Sequence, residues 1–181
     1  DRMQKLAAHV PGFIYQYHLH TDGTATFPYA SGGLTQIYGM HPGGTSDDNF
    51  MVTRVIHPDD LPRFRQAILD SARTLALWEQ QYRIILADGS IKWLQGHSSP
   101  QRQPDGSTLW HGYVRDITAE RQANDRLRLA ASVFANSYDG IMITDARNVI
   151  TEVNPAFCRI TGYEAHEAIG QSPRMLGSGR Q

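Results

Sequence analysis

The chain has 181 residues, of which 40% are hydrophobic, and a formal net charge of −1 at pH 7. This size fits one or two small domains, and the near-zero charge gives no electrostatic reason to expect nucleic acid or a membrane surface as a partner. The single cysteine, Cys158, excludes an intrachain disulfide and a zinc site made of several cysteines.

The chain begins with residues 1–9, which contain no signal-peptide hydrophobic stretch and are typical of the end of a preceding helix. No apolar run approaches the ~20 residues of a membrane span. We therefore expect a cytoplasmic piece of a longer protein, whose other parts could include a membrane anchor.

A β-hairpin and a short helix are predicted next. Residues 13–19 place aromatic and aliphatic side chains on one face at period two, as in a half-buried strand. Thr21-Asp22-Gly23 supplies turn chemistry, and residues 24–30 complete the hairpin. Apolar residues spaced three and four apart then predict one short helix over residues 34–38, which Gly39 ends.

Residues 41–49 are rich in Pro, Gly and Asp and are typical of a loop. A longer helix is predicted from His57-Pro58-Asp59-Asp60, because proline suits a first turn and aspartates complement the helix dipole. Its apolar stripe consists of Leu61, Phe64, Ile68 and Ala72.

Three more strands are predicted over residues 77–86, 91–98 and 108–116, separated by turns at Asp88-Gly89 and Pro104-Asp105-Gly106. Five strands with helices inserted after the second predict an antiparallel sheet with helices on one face. The fold class is therefore α+β.

A linker helix is predicted over residues 118–135, with Thr118 as its cap. Its apolar residues recur at coiled-coil spacing over less than two heptads: Ala123, Leu127, Ala130 and Phe134. This helix could pair with its twin in a parallel dimer, or pack as a spacer on its own domain; the stripe favours pairing.

The pattern then starts again. Residues 15–39 align with residues 138–162 without a gap, and the Thr21-Asp22 turn falls on Thr144-Asp145. Such a repeat indicates two copies of one supersecondary unit. The first copy continues for about eighty more patterned residues, whereas the second ends at Gln181.

These motifs together resemble the PAS domain family, in its subtype with a His-Pro-Asp-Asp helix start. The matching residues are His57-Pro58-Asp59-Asp60, Tyr82-Arg83-Ile84, Asp88-Gly89-Ser90, Lys92-Trp93 and the closing Asp116-Ile117-Thr118. The resemblance implies a five-stranded antiparallel PAS-type sheet. It also implies that the closing tripeptide couples the sheet to an outgoing signalling helix.

The second copy resembles the first half of another PAS domain, through Asn154-Pro155-Ala156-Phe157 and the residues that follow. We therefore expect a preceding helix end at 1–9, a PAS domain at 10–117, a linker or signalling helix at 118–135 and a truncated second PAS domain at 136–181. A half sheet exposes an unpaired edge, so we expect residues 140–181 to be covered by another chain or by the first domain, or to be poorly ordered.

One residue position in the sequence decides whether flavin photochemistry of the known kind is possible. Light-sensing members of the family carry a Gly-x-Asn-Cys-Arg-Phe-Leu motif, whose cysteine attacks the flavin. The matching stretch runs from Gly170 to Leu176 and has Pro173 at the cysteine position, which excludes adduct formation there. Cys158 is expected to be a small buried apolar residue. Non-covalent flavin binding stays open.

Haem would need an axial His or Met. The eight histidines are scattered and show no metal-ligand pair on one helix. His57 is expected to lead into its helix, while His97 and His111 lie on adjacent predicted strands, where they are expected to be half-buried strand residues. Haem is therefore not favoured, no metal site is predicted, and the cofactor is left unknown.

Intrinsic catalysis is not predicted. Asp59 and Asp60 are adjacent on a helix and do not converge on one point. The Gly32-Gly33 pair indicates a turn. No nucleophile elbow, phosphate-binding loop or zinc-binding helix motif is present, so no catalytic residues are assigned.

The resemblance implies a small-molecule pocket between the sheet and the helices. The candidate lining residues are Tyr15, Tyr17, Ile37, Phe64, Ile68, Tyr82, Ile84, Trp93 and Tyr113. The other interpretation is that these side chains fill a dry core. Buried Tyr and Trp need hydrogen-bond partners, which favours a polar ligand or trapped water.

We therefore predict a bacterial sensory module that responds to a small ligand or a partner. Asp116 and Thr118 are predicted to couple the sheet to the outgoing helix, with Asp116 in an ion pair across the junction. The output domain, absent from this chain, would be a histidine kinase or a cyclic-di-nucleotide enzyme by resemblance. A homodimer through the linker helix and the second unit is expected, without nucleic acid or direct membrane contact. The alternative is a ligand-free dimerisation and spacing module.

Overall fold

The computed structural model describes residues 12–38 and 52–177. The chain forms two compact units, and the boundary between them falls after Arg121. The helix end predicted at residues 1–9, the stop at Gly39 and the loop predicted at residues 41–49 lie outside the described residues.

The first unit is built on a five-stranded antiparallel sheet. Its strands are β1 (Phe13–Leu19), β2 (Ala25–Ala30), β3 (Trp78–Ile85), β4 (Ile91–Arg102) and β5 (Thr108–Asp116). Their spatial order is β2-β1-β5-β4-β3, so the first and last strands in sequence pair at the centre. This confirms the predicted α+β class with an antiparallel sheet of five strands.

Strand β4 is four residues longer than the sequence pattern predicted, ending at Arg102 instead of residue 98. The sequence Ser98-Ser99-Pro100 reads as a strand end, because proline cannot donate to a ladder. However, β3 begins opposite Ser98, and beyond that point β4 pairs only with β5. Pro100 therefore interrupts no ladder with β3.

Among the described residues of this unit, α1 (Gly33–Tyr38) packs against β1 and α2 (Leu61–Thr74) packs against β3, and residues 52–55 are also helical. The core lies between these helices and the sheet face formed by alternate strand residues. It includes Ile84 and Leu94, both with 0% exposure, and Trp110 with 2%.

The start of α2 differs from its prediction. The helix begins at Leu61 with Pro62 in its first turn, and Pro58 lies in the turn before it. Asp60 occupies the cap position but makes no side-chain cap hydrogen bond. Its carboxylate instead accepts three hydrogen bonds from Arg83 on β3: from the backbone N–H and Nε at 2.9 Å, and from Nη2 at 2.7 Å.

The second unit contains α3 (Thr118–Asn136) from Gln122 onward, a hairpin of β6 (Met142–Thr144) and β7 (Ile150–Val153), then α4 (Pro155–Thr161), α5 (Ala165–Ala168) and a 3-10 helix (Pro173–Leu176). The strand, turn, strand and helix order of the first unit recurs here, in agreement with the sequence repeat.

The side chain of Asn154 connects several segments of the second unit by hydrogen bonds. Its side chain is completely buried, and its Oδ1 accepts from the backbone N–H groups of Ile141 and Phe157 at 2.8 and 2.9 Å. Its Nδ2 donates to the carbonyl oxygens of Phe134 and Asp139 at 3.0 and 2.9 Å. A buried amide with every donor satisfied links the end of α3 to the start of α4.

The Asp60–Arg83 pair should be the main acid-sensitive contact between α2 and the sheet. Hydrogen bonds from Arg83 lower the pKa of Asp60 from 3.8 to about 2. Because the folded-state pKa lies below the unfolded one, the stabilisation is present above about pH 5 and is lost as the pH falls toward 2. We expect Asp60→Asn to lower the free energy of unfolding at pH 7 by about 2 kcal/mol, measured by urea denaturation.

Asp59→Asn is the matched control. The Asp59 side chain is 73% exposed and lies 3.6 Å from the same Arg83 guanidinium, so its removal should change stability by less than about 0.5 kcal/mol. The difference between wild type and Asp60→Asn should shrink as the pH is lowered from 5 to 2. Equal effects of the two substitutions, or a difference that does not depend on pH, would contradict the assignment.

Candidate functional site

A cavity of about 40 Å³ lies in the core of the first unit. Side chains from all five strands and from both α1 and α2 contribute to its wall, which is mainly aromatic. This volume is about three times the ~10–15 Å³ that a single buried water molecule needs on the same measure, and it is far below the ~150 Å³ apolar cavity that holds benzene. As it stands, the cavity has room for a molecule of only a few heavy atoms.

The wall contains two pairs of hydrogen-bonded hydroxyl groups. The hydroxyl groups of Tyr38 and Tyr82 are 2.8 Å apart, and the Tyr15 hydroxyl is hydrogen-bonded to Ser98. Burial raises the pKa of Tyr15 and Tyr17 to about 12, and burial likewise raises the pKa of Tyr38 and Tyr82. These tyrosines are therefore neutral hydrogen-bonding groups at any physiological pH.

The described wall residues carry no ionisable side chain other than tyrosine. Such a wall can bind and orient an uncharged molecule, but it offers neither a charge to pair with an ion nor a base to activate a nucleophile.

The predicted pocket residues fall into three groups. Tyr15, Tyr17, Phe64, Ile68 and Tyr82 line the cavity. Ile37 and Ile84 are buried in the surrounding core. Trp93 and Tyr113 lie outside the cavity wall and outside the buried core.

Trp93 and Tyr113 were wrongly predicted to line the pocket. On its strand, each belongs to the alternate positions that are not buried. On β4 the buried residues are Leu94, Gly96 and Ser98, and the neighbours of Tyr113 on β5 follow the same alternation. Tyr113 is 40% exposed and stacks on His97, with ring centroids 5.2 Å apart. The alternating pattern showed which residues share a face, but not which face the helices cover.

Sequence reasoning also missed wall residues that the structure supplies. Phe13, Tyr38, Trp78 and Trp110 all line the cavity. Their positions followed the strand and helix periodicities that were recognised, so the signal was available in the alternation. The alternation does not distinguish residues that line a cavity from residues that pack in a solid core.

The haem candidates do not reach this cavity. His97 stacks on Tyr113 and lies 3.7 Å from the Glu79 carboxylate, and His111 contacts the side-chain amide of Gln16 at 3.3 Å. His57 precedes α2, where its Nδ1 accepts from the backbone N–H of Asp59 at 3.3 Å. Over residues 12–38 and 52–177, no group of three or more His, Cys, Asp or Glu side chains could hold a metal ion.

The structure also describes the residues that match the flavin motif. Pro173 starts the 3-10 helix, and Ser172 accepts from the backbone N–H of Arg174 before it. Cys158 is half-buried in α4, less buried than predicted.

The second element of the site is the junction between β5 and α3. Asp116 Oδ1 accepts from the backbone N–H of Thr118 at 2.9 Å and from its hydroxyl at 2.5 Å. Asp116 Oδ2 lies 3.2 Å from the ammonium of Lys92 on β4. Burial alone would raise the pKa of Asp116, but the Thr118 hydrogen bonds and the Lys92 charge outweigh it, and the net shift is downward.

Thr118 acts differently from its predicted capping role. It is the first residue of α3, and its Oγ1 accepts from the backbone N–H of Trp93 at 2.9 Å. The helix amide at this end is capped by the Asp116 carboxylate instead. Thr118 therefore ties the helix start to β4, while Asp116 ties it to both β4 and β5.

Further contacts hold the first turn of α3 to the sheet. The Arg121 guanidinium lies 3.9 Å from the centroid of the Trp93 ring, a cation–π contact, and donates to Gln81 on β3 at 2.5 Å. Arg115 donates to Glu120 at 3.1 Å. The start of the helix is thus connected to three neighbouring strands.

The described helices include none that is both long enough and apolar enough to cross a membrane.

Comparison with known proteins gives the same picture. Residues 27–114 match a family model described as PAS fold, and residues 126–178 match one described as PAS domain. The chain is 55% identical over 38 residues to the nitrogen fixation regulatory protein of Klebsiella pneumoniae, a match that covers 21% of this chain and 8% of that protein. The chain therefore spans only a small part of the curated relatives it matches.

Solved structures of other proteins share the fold. A sensory box histidine kinase/response regulator from Burkholderia thailandensis is 20% identical, with a TM-score of 0.54, over 73% of this chain and 96% of that one. A domain ascribed to a light and redox sensing histidine kinase from Haloarcula marismortui is 17% identical, with a TM-score of 0.50, over 65% and 98%. The chain belongs to the PAS family, with one PAS domain in its first unit and part of a second in its second unit.

Proposed function

We propose that this chain is the sensory part of a bacterial signalling protein. A small ligand in the cavity of the first unit would shift the sheet between two arrangements and change how α3 is held. The observation that supports this most strongly is that the same two strands, β4 and β5, contribute residues both to the cavity wall and to the junction with α3. Ser98 and Val114 line the cavity, while Lys92 and Asp116 hold the helix start.

The coupling path is short. Ser98, which bonds the Tyr15 hydroxyl inside, lies six residues along β4 from Lys92, and Val114 is two residues from Asp116. A ligand that displaced Ser98 or Val114 would therefore strain the β4–β5 ladder next to the junction. We assign Asp116 and Thr118 the coupling role on this basis.

The output of such a module would lie elsewhere in the parent protein. A histidine kinase or a cyclic-di-nucleotide enzyme is proposed from the family resemblance, and the names of the relatives are in keeping with a regulatory role. The chain itself is proposed to be non-catalytic and cytoplasmic. Its functional divisions are proposed as a PAS domain at 10–117, a signalling helix at 118–135 and a second unit at 136–181.

A second candidate function is dimerisation through α3. None of the side chains of this helix is buried, and Leu127, Leu129 and Val133 are 69%, 65% and 59% exposed. Within the second unit, an open apolar groove is lined by Arg126, Leu129, Ala130, Val133, Phe134 and Ile141. A helix that leaves this much apolar surface uncovered favours a partner, which we propose to be a second copy of the chain. This pairing is compatible with the ligand-sensing role and would also suffice for a ligand-free spacer.

Replacement of Asp116 by Ala tests the coupling role. The change removes the carboxylate that caps α3 and pairs with Lys92, at an expected cost of about 1 kcal/mol to the first turn. Amide hydrogen exchange in Thr118–Arg121 should then become roughly fivefold to tenfold faster, while exchange in β1 stays unchanged. In the full-length protein, the output should lose its response to the stimulus.

Asp88→Ala is the matched control, because Asp88 makes the same two hydrogen bonds to Ser90, at 2.9 and 2.6 Å, in the turn between β3 and β4. It should leave the signalling response intact. The coupling proposal fails if the Asp116 variant signals normally, or if the Asp88 variant is equally defective.

Replacement of Val133 by Lys tests dimerisation. Burying an ammonium in an apolar helix contact is unfavourable, so the dimer dissociation constant should rise roughly tenfold or more. Analytical ultracentrifugation over a concentration series measures this directly. Ala135→Lys adds the same charge about 200° around the helix and should leave the dimer intact. A wild-type chain that stays monomeric at the highest concentration would rule out pairing through α3.

A further inference from the structure

One residue of β3 is hydrogen-bonded to both α2 and α3. The guanidinium of Arg63 on α2 donates through Nη2 to the backbone carbonyl of Gln81 at 2.7 Å, and through Nη1 to the side-chain carbonyl of Gln80 at 2.6 Å. The guanidinium of Arg121, in the first turn of α3, donates to the side-chain Oε1 of the same Gln81 at 2.5 Å. Gln81 therefore links α2 to α3 directly, without Asp116.

The position of β3 at the edge of the sheet makes this link possible. β4 pairs with only one side of β3, and an edge strand leaves backbone carbonyl groups on its other side without a strand partner. Arg63 donates to such a carbonyl at Gln81. The Gln81 side chain lies on the outer face, where Arg121 stacks on Trp93 with 3.9 Å between the guanidinium and the ring centroid. The backbone of Gln81 therefore contacts α2, and its side chain contacts α3.

The two partners of the Arg63–Gln81 contact are each next to a residue of the cavity wall. Arg63 precedes Phe64, and Gln81 precedes Tyr82. Phe64 and Tyr82 both line the cavity, and their rings meet edge to face with centroids 4.8 Å apart. A ligand that changed the spacing of these two rings would move α2 relative to β3. It would therefore also change the contact between Arg63 and Gln81.

The chemistry of the link gives it moderate strength. Its acceptors on Gln81 are neutral amide oxygens, whereas both donors are charged guanidinium groups. Arginine binds a carboxylate more strongly than an amide, because both partners are then charged and two parallel hydrogen bonds can form. With a glutamine at this position, the contact to Arg121 can loosen and re-form as α2 moves.

We infer that Gln81 is a positioning residue that couples α2 to the first turn of α3, so that a displacement of the cavity-lining helix reaches the signalling helix across β3. The inference rests on the proposed signalling role of α3 and adds a second route to the one along β4 and β5. Both routes end in the same turn, since Asp116 holds the amide of Thr118 and Gln81 holds Arg121.

A double-mutant cycle with Arg63→Met and Gln81→Met tests the coupling in the ligand-free chain. Methionine keeps an apolar stem at each position and removes the polar head. Amide hydrogen exchange in Thr118–Arg121, relative to exchange in β1, should become roughly threefold to tenfold faster in Gln81→Met and roughly twofold to fivefold faster in Arg63→Met. The double variant should exchange no faster than Gln81→Met alone, because both contacts act through one residue.

Arg73→Met is the matched control. It removes the same charge from the same helix, at a residue whose ion pair with Asp70, at 3.4 Å, lies within α2. Exchange at the start of α3 should therefore stay unchanged in this variant.

Gln81→Glu should have the opposite effect to Gln81→Met. The introduced carboxylate should hold the Arg121 guanidinium more strongly and slow exchange in Thr118–Arg121 roughly threefold or more. Because a folding defect speeds exchange, slower exchange in this variant reports a stronger contact.

Unchanged exchange in Arg63→Met, additive effects of the two methionine substitutions, or faster exchange in Gln81→Glu would each overturn the inference. If Asp116→Ala abolishes the response while Arg63→Met leaves the start of α3 unchanged, the inference fails and the proposed function stands. If the cycle gives the expected result while Asp116→Ala signals normally, the coupling of α2 to α3 stands and the proposed role of the junction fails.

Discussion

The structure of the first unit depends on the position of β5 at the centre of the sheet. β5 pairs with β1 on one side and with β4 on the other, so it joins the two hairpins into one surface. Its inward side chains, such as Trp110 and Val114, line the cavity. Its last residue, Asp116, begins the connection to α3. The residues that contact the start of α3 therefore lie on β5, on its neighbour β4 and on β3, which carries Gln81.

The two faces of the sheet are chemically distinct. The inner face is neutral and aromatic, and burial keeps its tyrosines protonated. The outer face carries ion pairs and stacked rings, including Trp93 beneath Arg121 and Tyr113 against His97. Because a β-strand alternates its side chains between faces, each residue of β4 and β5 belongs to one of these environments. A displacement of either strand therefore moves side chains on both faces of the sheet.

One local motif is used for two purposes in this chain. The carboxylates of Asp22, Asp88 and Asp105 each accept from the backbone N–H and hydroxyl of the residue two positions later, and each closes a hairpin turn. Asp116 makes the same pair of hydrogen bonds to Thr118, but there the chain continues into α3. The added contacts to Lys92 and Trp93 connect this fourth instance to β4. The same short-range chemistry therefore serves as a turn or as a junction according to what surrounds it.

The sequence by itself determined the order of the elements, the hairpin turns, the repeat and the family. These follow from short-range chemistry: period-two alternation, Asp-Gly turns, and apolar residues spaced three and four apart. Only the tertiary structure decided that Asp60 pairs with Arg83 instead of facing the helix dipole. It also decided that Trp93 lies outside the cavity wall, and that the indole N–H of Trp110 reaches Ser71 on α2. Alternation defines two faces of a strand, but packing of the helices selects the buried one, and a partner distant in sequence leaves no local signal.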